Sequence, residues 1–116
     1  MMHALGKHLL VELYECSPDR LNDVTRIEQS MVRAAREAGA TVINTSFHHF
    51  SPYGVSGVVD IQESHLSIHT WPEHDYAAID IFTCRGLDPY RALPAIKAAF
   101  EPDHLDIMEV KRGVRV

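Results

Sequence analysis

The alternation of apolar and polar positions predicts β-strands along most of the chain. Runs rich in β-branched, aromatic and leucine residues are separated by short turn-prone segments. Two of these turns are Ser17-Pro18-Asp19 and Ser51-Pro52-Tyr53-Gly54, whose residue types favour a reversal of the chain. The predicted strands cover residues 7–15, 41–50, 54–63, 64–71, 76–84 and 104–113.

Two further segments have the periodicity of amphipathic helices. Apolar residues recur every three or four positions from residue 21 to 38, and Gly39 is a typical helix stop. A second helix is predicted from Asp88 as its cap and Pro89 as its first residue, ending before Pro102.

The resulting order, β-α-β-β-β-β-α-β, indicates the fold class. Consecutive strands joined by short connections are most simply antiparallel neighbours. We therefore predict an α+β fold, a two-layer sandwich in which two helices cover one face of an antiparallel sheet. A chain of 116 residues is long enough for one core and too short for two ordinary domains, so residues 1–116 are predicted to form a single domain.

Charge and composition exclude several classes of partner. The 11 basic residues are dispersed and outnumbered by 16 acidic ones, which predicts no nucleic-acid partner. The N-terminal apolar run is broken at Glu12, well short of the roughly 20 residues that cross a bilayer, and no signal-peptide cleavage site follows it. Two cysteines are too few for a disulfide scaffold. A cytoplasmic protein without membrane contact is expected.

The candidate chemistry lies between residues 50 and 84. Ser64 is flanked by an acid and a histidine, His69 follows five positions later, Glu73 comes after Trp-Pro, and Cys84 ends a strand. These residue types can together perform nucleophilic and acid–base chemistry. Taken singly, a serine within a strand is usually an ordinary hydrogen-bonded hydroxyl, and a lone strand cysteine is usually buried and inert.

The string ESHLSIHTWPE, with PYGVSGVV before it and YAAIDIFTC after it, resembles the short prokaryotic class of S-adenosylmethionine decarboxylase proenzymes. The similarity extends over nearly the whole chain. It implies autocatalytic serinolysis of the Glu63–Ser64 bond, giving a β chain of residues 1–63 and an α chain of residues 64–116. It also implies a homodimer of cleaved protomers and no metal.

The resemblance implies a role for each residue of the motif. Ser64 becomes a pyruvoyl group that forms a Schiff base with the substrate. Ser56 assists processing and His69 is the processing base. Cys84 donates a proton to the substrate α-carbon. The implied reaction is decarboxylation of S-adenosylmethionine, which supplies the aminopropyl donor for spermidine synthesis.

The family pattern also implies how the substrate is bound. Phe50 would stack on adenine with His69 on its other side, and Glu73 would hold the ribose hydroxyls. A pyruvoyl-dependent arginine or ornithine decarboxylase on the same scaffold is an alternative, but such a substrate needs neither Phe50 nor Glu73. A non-catalytic regulatory paralogue is another alternative. A serine or thiol hydrolase ranks last because no nucleophile elbow is present.

Several other polar residues lack a predicted role. His65 and His69 would face the same side of a strand and could chelate a metal, but no third ligand stands at a recognisable spacing, so no metal site is predicted. No role is assigned to His48 and His49. The first strand offers two further candidate acids, Glu12 and Glu15.

Overall fold

A computed structural model describes residues 4–116. Its six strands form one antiparallel sheet in the order β2-β3-β4-β5-β1-β6. The strands are β1 Gly6–Tyr14, β2 Val42–His49, β3 Val55–Ile61, β4 Ser64–Trp71, β5 Tyr76–Cys84 and β6 His104–Arg112, and the helices are α1 Val24–Glu37 and α2 Leu93–Phe100. The predicted α+β sandwich is confirmed.

Only one face of the sheet is covered. Along β5, buried residues alternate with half-exposed ones, as expected when every second side chain points toward a core. The core joins the covered sheet face to both helices; its largest fully buried side chains include Leu9, Leu66, Ile68, Ile79, Ile81, Ile27, Met31, Ile96 and Phe100. The uncovered side, here named the open face, carries residues 65, 67, 69 and 71 of β4 and their cross-strand partners.

The first helix begins later than the sequence pattern predicts. Pro18–Leu21 forms a separate 3-10 turn, and α1 starts at Val24. The side chain of Asp23 accepts a hydrogen bond from the Arg26 amide at 3.1 Å. Because a side-chain cap satisfies one of the free amides of a first turn, Asp23 defines the start of the helix.

The second helix is likewise shorter than predicted. Asp88 is a cap, but it accepts from the Tyr90 amide at 3.1 Å and caps a 3-10 turn, Pro89–Ala92. The α-helix begins only at Leu93, with Pro94 in its first turn, where a missing amide proton costs little. Within residues 4–116, neither helix has the length and apolar content needed to cross a bilayer.

Candidate active site

Ser64 stands at a tight turn between two strands of the sheet. Gln62 and Glu63 form the connection, and Ser64 pairs with Ile61 across it. Glu63 has φ of 82°, a left-handed conformation that side chains with a Cβ rarely adopt. The Ser64 hydroxyl donates a hydrogen bond to the Glu63 carbonyl oxygen at 2.6 Å. The hydroxyl is thus held against the carbonyl of the peptide bond immediately before it.

Cys84 lies close to this turn at the end of β5. A cavity of about 300 Å³ is lined by both Glu63 and Cys84, which brings Cys84 and the turn to one space. A second cavity, of about 250 Å³, lies on another side of Cys84 and is lined by Lys7 and Lys111. A larger concavity of about 600 Å³ runs along the exposed side of α1 and contains none of the predicted site residues. We therefore place the candidate site at the turn.

The other cysteine, Cys16, is unsuited to act as a nucleophile or a proton donor. Cys16 is only 3% exposed and belongs to the core. Burial, with smaller contributions from the charges of Asp75 and Asp103, raises the pKa of its thiol to about 11. Cys84, by contrast, is half-buried and borders two cavities.

Ser56 and His69 form a second cluster. They are direct cross-strand partners on β3 and β4, and Ser56 Oγ is hydrogen-bonded to His69 Nδ1 at 2.8 Å. The next residue, Gly57, lies beneath the Phe47 ring, where a Cβ would come within 2.0 Å of a ring carbon. Only glycine allows that close packing, which helps to fix the strand register beside Ser56.

The two clusters lie at opposite ends of the same hairpin. Ser64 is at the first residue of β4 and His69 is five residues further along it. At about 3.3 Å per residue, this separation corresponds to ~16 Å. The structure therefore brings Ser64 together with Glu63 and Cys84, and Ser56 together with His69, but does not unite the two pairs within one copy of the chain.

The predicted substrate-binding residues lie at the His69 end. Phe50 follows β2, is 47% exposed, and packs edge-on to the His48 ring with a centroid distance of 4.5 Å. Glu73 lies in a 3-10 turn, Pro72–His74, just after β4. It lines a cavity of about 350 Å³ together with Tyr53. The ring of Phe50 is thus exposed at this end of the sheet, and Glu73 borders a cavity there.

Residue patterning alone did not reveal a polar network on the open face. His8 Nε2 lies 2.9 Å from Asp80 Oδ1, and the Ser67 hydroxyl donates to the other oxygen of Asp80 at 3.0 Å. Nearby, the Tyr76 hydroxyl donates to Glu12; burial and this hydrogen bond raise the pKa of Tyr76. Positions 8 and 80 are too far apart in the chain for any local motif to connect them.

Other histidines and acids considered in the sequence analysis pack against neighbouring side chains or are exposed to solvent. His65 packs edge-on to Phe82 at 5.9 Å, and His49 is hydrogen-bonded to Asn22 at 2.9 Å. Glu15 is exposed just beyond β1. In the part of the chain that the structure describes, no three His, Cys, Asp or Glu residues are grouped closely enough to hold a metal ion.

Comparison with known proteins assigns the family. The family model described as S-adenosylmethionine decarboxylase matches residues 7–113. The chain belongs to the S-adenosylmethionine decarboxylase family. This confirms the predicted family and the predicted class of enzyme.

Similar members of the S-adenosylmethionine decarboxylase family are bacterial proteins named S-adenosylmethionine decarboxylase proenzyme. One, from Carboxydothermus hydrogenoformans, is 54% identical over 116 residues, covering 99% of this chain and 91% of the relative. Another, from Thermotoga maritima, is 52% identical over 113 residues, covering 97% and 87%.

Two solved structures share the fold. The crystal structure of the adenosylmethionine decarboxylase from Aquifex aeolicus has a TM-score of 0.89 at 36% identity, covering 97% of this chain and 94% of that one. A Trypanosoma brucei AdoMetDC monomer has a TM-score of 0.66 at 13% identity, covering 89% of this chain and 45% of that one. The second likeness concerns the fold alone.

The contrast between the two cysteines can be measured. In folded protein at pH 8, iodoacetamide should modify Cys84 and leave Cys16 unmodified, because a buried thiol with a pKa of about 11 is almost entirely protonated there. Mass spectrometry of peptides after timed labelling checks this. Urea-unfolded protein is the control, in which both thiols should react; equal labelling in the folded protein would contradict the assignment.

Proposed function

We propose that the chain cleaves itself between Glu63 and Ser64 and that the cleaved product decarboxylates S-adenosylmethionine. The observation that carries the proposal is the 2.6 Å contact of the Ser64 hydroxyl with the Glu63 carbonyl oxygen, at a turn where Glu63 has a left-handed backbone. Membership of a family whose curated relatives are named proenzymes supports it.

The cleavage begins with the hydroxyl that the turn holds in place. Ser64 Oγ attacks the Glu63 carbonyl carbon, the C–N bond breaks, and the released nitrogen gains the proton, so that an ester replaces the amide. Because the nucleophile and the carbonyl already touch, most of the entropy of bringing them together is already spent. The unfavourable φ of Glu63 is relieved when the peptide bond breaks.

Elimination then completes the cleavage. A base removes the α-proton of residue 64, the Cβ–Oγ bond breaks, and Glu63 leaves as a carboxylate. Water hydrolyses the resulting dehydroalanine to a pyruvoyl group and ammonia. His69 is suited to act as the base, because an imidazole can accept a proton near neutral pH, and its hydrogen bond to Ser56 orients the ring.

The surroundings of the turn fit a pyruvoyl group at position 64. When present, that group supplies an electron-accepting carbonyl for the loss of CO₂. Cys84 shares the cavity with Glu63 and can hold a proton for the substrate α-carbon. No metal is needed for this chemistry, because a carbonyl supplied by the chain accepts the electrons.

A second copy of the chain would complete the site. His69 is ~16 Å along β4 from Ser64, too far to act on it within one copy. The open face also exposes apolar side chains, including Leu10 at 37% and its cross-strand partner Met108 at 64%. Two open faces related by a two-fold axis across the strands would place the Ser64 end of one copy at the His69 end of the other. We therefore propose a homodimer.

The substrate follows from the residues near His69. S-Adenosylmethionine offers an adenine ring and ribose hydroxyls, which match the exposed ring of Phe50 and the carboxylate of Glu73. Arginine and ornithine use neither group. The product would serve as the aminopropyl donor for spermidine synthesis, and the expected location remains the cytoplasm.

Ser64→Ala should abolish cleavage, because no hydroxyl remains to attack. On denaturing gels the unaltered chain should give two bands of roughly 7 and 6 kDa, whereas the variant should keep one band at 13.1 kDa and release no CO₂. Ser30→Ala is the matched control, since the Ser30 hydroxyl lies on the solvent side of α1 and bonds only to the Arg26 carbonyl. Cleavage of the Ser64→Ala chain would contradict the proposal.

Complementation tests the two-copy site. Ser64→Ala and His69→Ala chains should each stay uncleaved when made alone. When they are co-expressed with distinguishable tags, about half of the His69→Ala chains should be cleaved, since random pairing gives half of them an intact His69 from the partner. Gels that resolve the two tags measure this. Cleavage of the His69→Ala chain alone, or none in the mixture, would show that the site is built differently.

Substrate choice is tested by release of CO₂ from the cleaved enzyme. S-Adenosylmethionine should be decarboxylated, and arginine and ornithine should not. Glu73→Gln should raise KM for S-adenosylmethionine about tenfold, because a charged acceptor for the ribose hydroxyls is lost. Glu37→Gln, an exposed residue at the end of α1, is the control. Turnover of a basic amino acid in place of S-adenosylmethionine would favour the alternative decarboxylase, and no turnover of any substrate by cleaved chain would favour a regulatory paralogue.

A further inference from the structure

Thr83 has a buried hydroxyl that satisfies no hydrogen bond. The residue is 0% exposed, and its Oγ1 has no partner among residues 4–116. Other threonine hydroxyls of the sheet are satisfied: that of buried Thr70 donates to the Leu21 carbonyl at 2.7 Å, and that of Thr45 donates to Glu28 at 2.7 Å. An unpaired buried hydroxyl reduces stability, so its presence calls for a reason outside the stability of the fold.

The strand register places Thr83 beside the cleavage turn. On β4 and β5, His65 is opposite Phe82. Continuing this antiparallel register by one residue puts Ser64 opposite Thr83. Directly opposite residues have Cβ atoms about 5 Å apart and point to the same side of a sheet. Because threonine is β-branched and stiff at χ1, its hydroxyl has few alternative positions.

The chemistry of the turn can provide the missing acceptor. In the precursor, the Glu63 carbonyl oxygen lies 2.6 Å from Ser64 Oγ and accepts its hydrogen bond, and the second lone pair of that carbonyl oxygen can accept from another donor. As Oγ attacks the carbonyl carbon, electron density moves onto the Glu63 carbonyl oxygen, which becomes an oxyanion, and a hydrogen bond donated to that oxygen becomes stronger. A donor of this kind stabilises the transition state more than the resting precursor, which is the requirement for accelerating a step.

We propose that Thr83 takes part in self-cleavage by donating a hydrogen bond from its hydroxyl to the Glu63 carbonyl oxygen while Ser64 Oγ attacks the carbonyl carbon. The proposal rests on the self-cleavage proposed above and adds a residue to it. It also accounts for a buried hydroxyl without a partner beside the cleavage turn.

The test compares Thr83→Val, which keeps the side-chain shape, with Thr83→Ser, which keeps the hydroxyl. Precursor made by cell-free synthesis is followed on denaturing gels. Thr83→Val should slow cleavage about tenfold, the effect of losing one hydrogen bond in a transition state, while Thr83→Ser should stay within about twofold of the unaltered chain. Thr45→Val is the control: it removes a bonded hydroxyl on β2, opposite Val59 and not beside Ser64, and should cleave normally.

Two further measurements separate this role from a structural one. In a Ser64→Ala background, where every chain stays intact, Thr83→Val should leave the urea midpoint unchanged or higher, because it removes an unsatisfied group, whereas Thr45→Val should lower it. Hydroxylamine, which cleaves esters and not amides, should leave the uncleaved Thr83→Val chain intact, because the ester has not formed.

The outcomes also distinguish this inference from the proposed function. If the unaltered chain is never cleaved, the proposed function itself fails. If it is cleaved and Thr83→Val is cleaved equally fast, only the role of Thr83 is overturned. The same holds if Thr83→Ser is as slow as Thr83→Val, if Thr83→Val lowers the urea midpoint, or if hydroxylamine reveals an accumulated ester.

Discussion

The pairing of β3 with β4 is the constraint on which the rest of this structure depends. In this register Ile61 is opposite Ser64 and Ser56 is opposite His69. It therefore sets both the tight turn at Glu63 and the hydrogen-bonded pair at the other end of the hairpin. A slip of one residue would move every side chain of a strand to the other face. The hydrogen bond from the Val55 amide on β3 to the Thr70 hydroxyl on β4 opposes such a slip. The close packing of Phe47 on Gly57 fixes the register of β3 with its other neighbour, β2.

The same register separates the reacting groups. A strand is nearly fully extended, so five residues span ~16 Å, and a histidine on the strand that begins with Ser64 cannot fold back onto it. A second copy related by a two-fold axis would bring these groups together, because it places its His69 end at the Ser64 end of the first copy. The open face, with its exposed Leu10 and Met108 and its network around Asp80, is the surface available for such a copy.

The threonine hydroxyls of the sheet differ in whether they have a hydrogen-bond partner. Thr70 and Thr45 are fully used in holding elements together, whereas the hydroxyl of Thr83 is left without a partner next to the turn. Glu63 likewise keeps an unfavourable backbone conformation at the same place. Glu15, Asp75 and Glu101 also have positive φ, but among the described residues the unpaired hydroxyl and a left-handed backbone occur together at the Glu63–Ser64 bond. Local instability tolerated at one point by a stable scaffold is typical of reactive sites.

The sequence by itself determined the element types, their order and the motif around Ser64, because strand alternation, helical periodicity and turn residues are local properties. Two predicted strands, residues 64–71 and 76–84, agree with the structure at both ends. Helix starts were less predictable, since they depend on which hydroxyl or carboxylate caps a particular amide. Only the tertiary structure decided that Ser64 and His69 are far apart, that His8 meets Asp80, and that Thr83 is buried without a partner. These facts depend on strand register and on packing between distant segments, which no local pattern encodes.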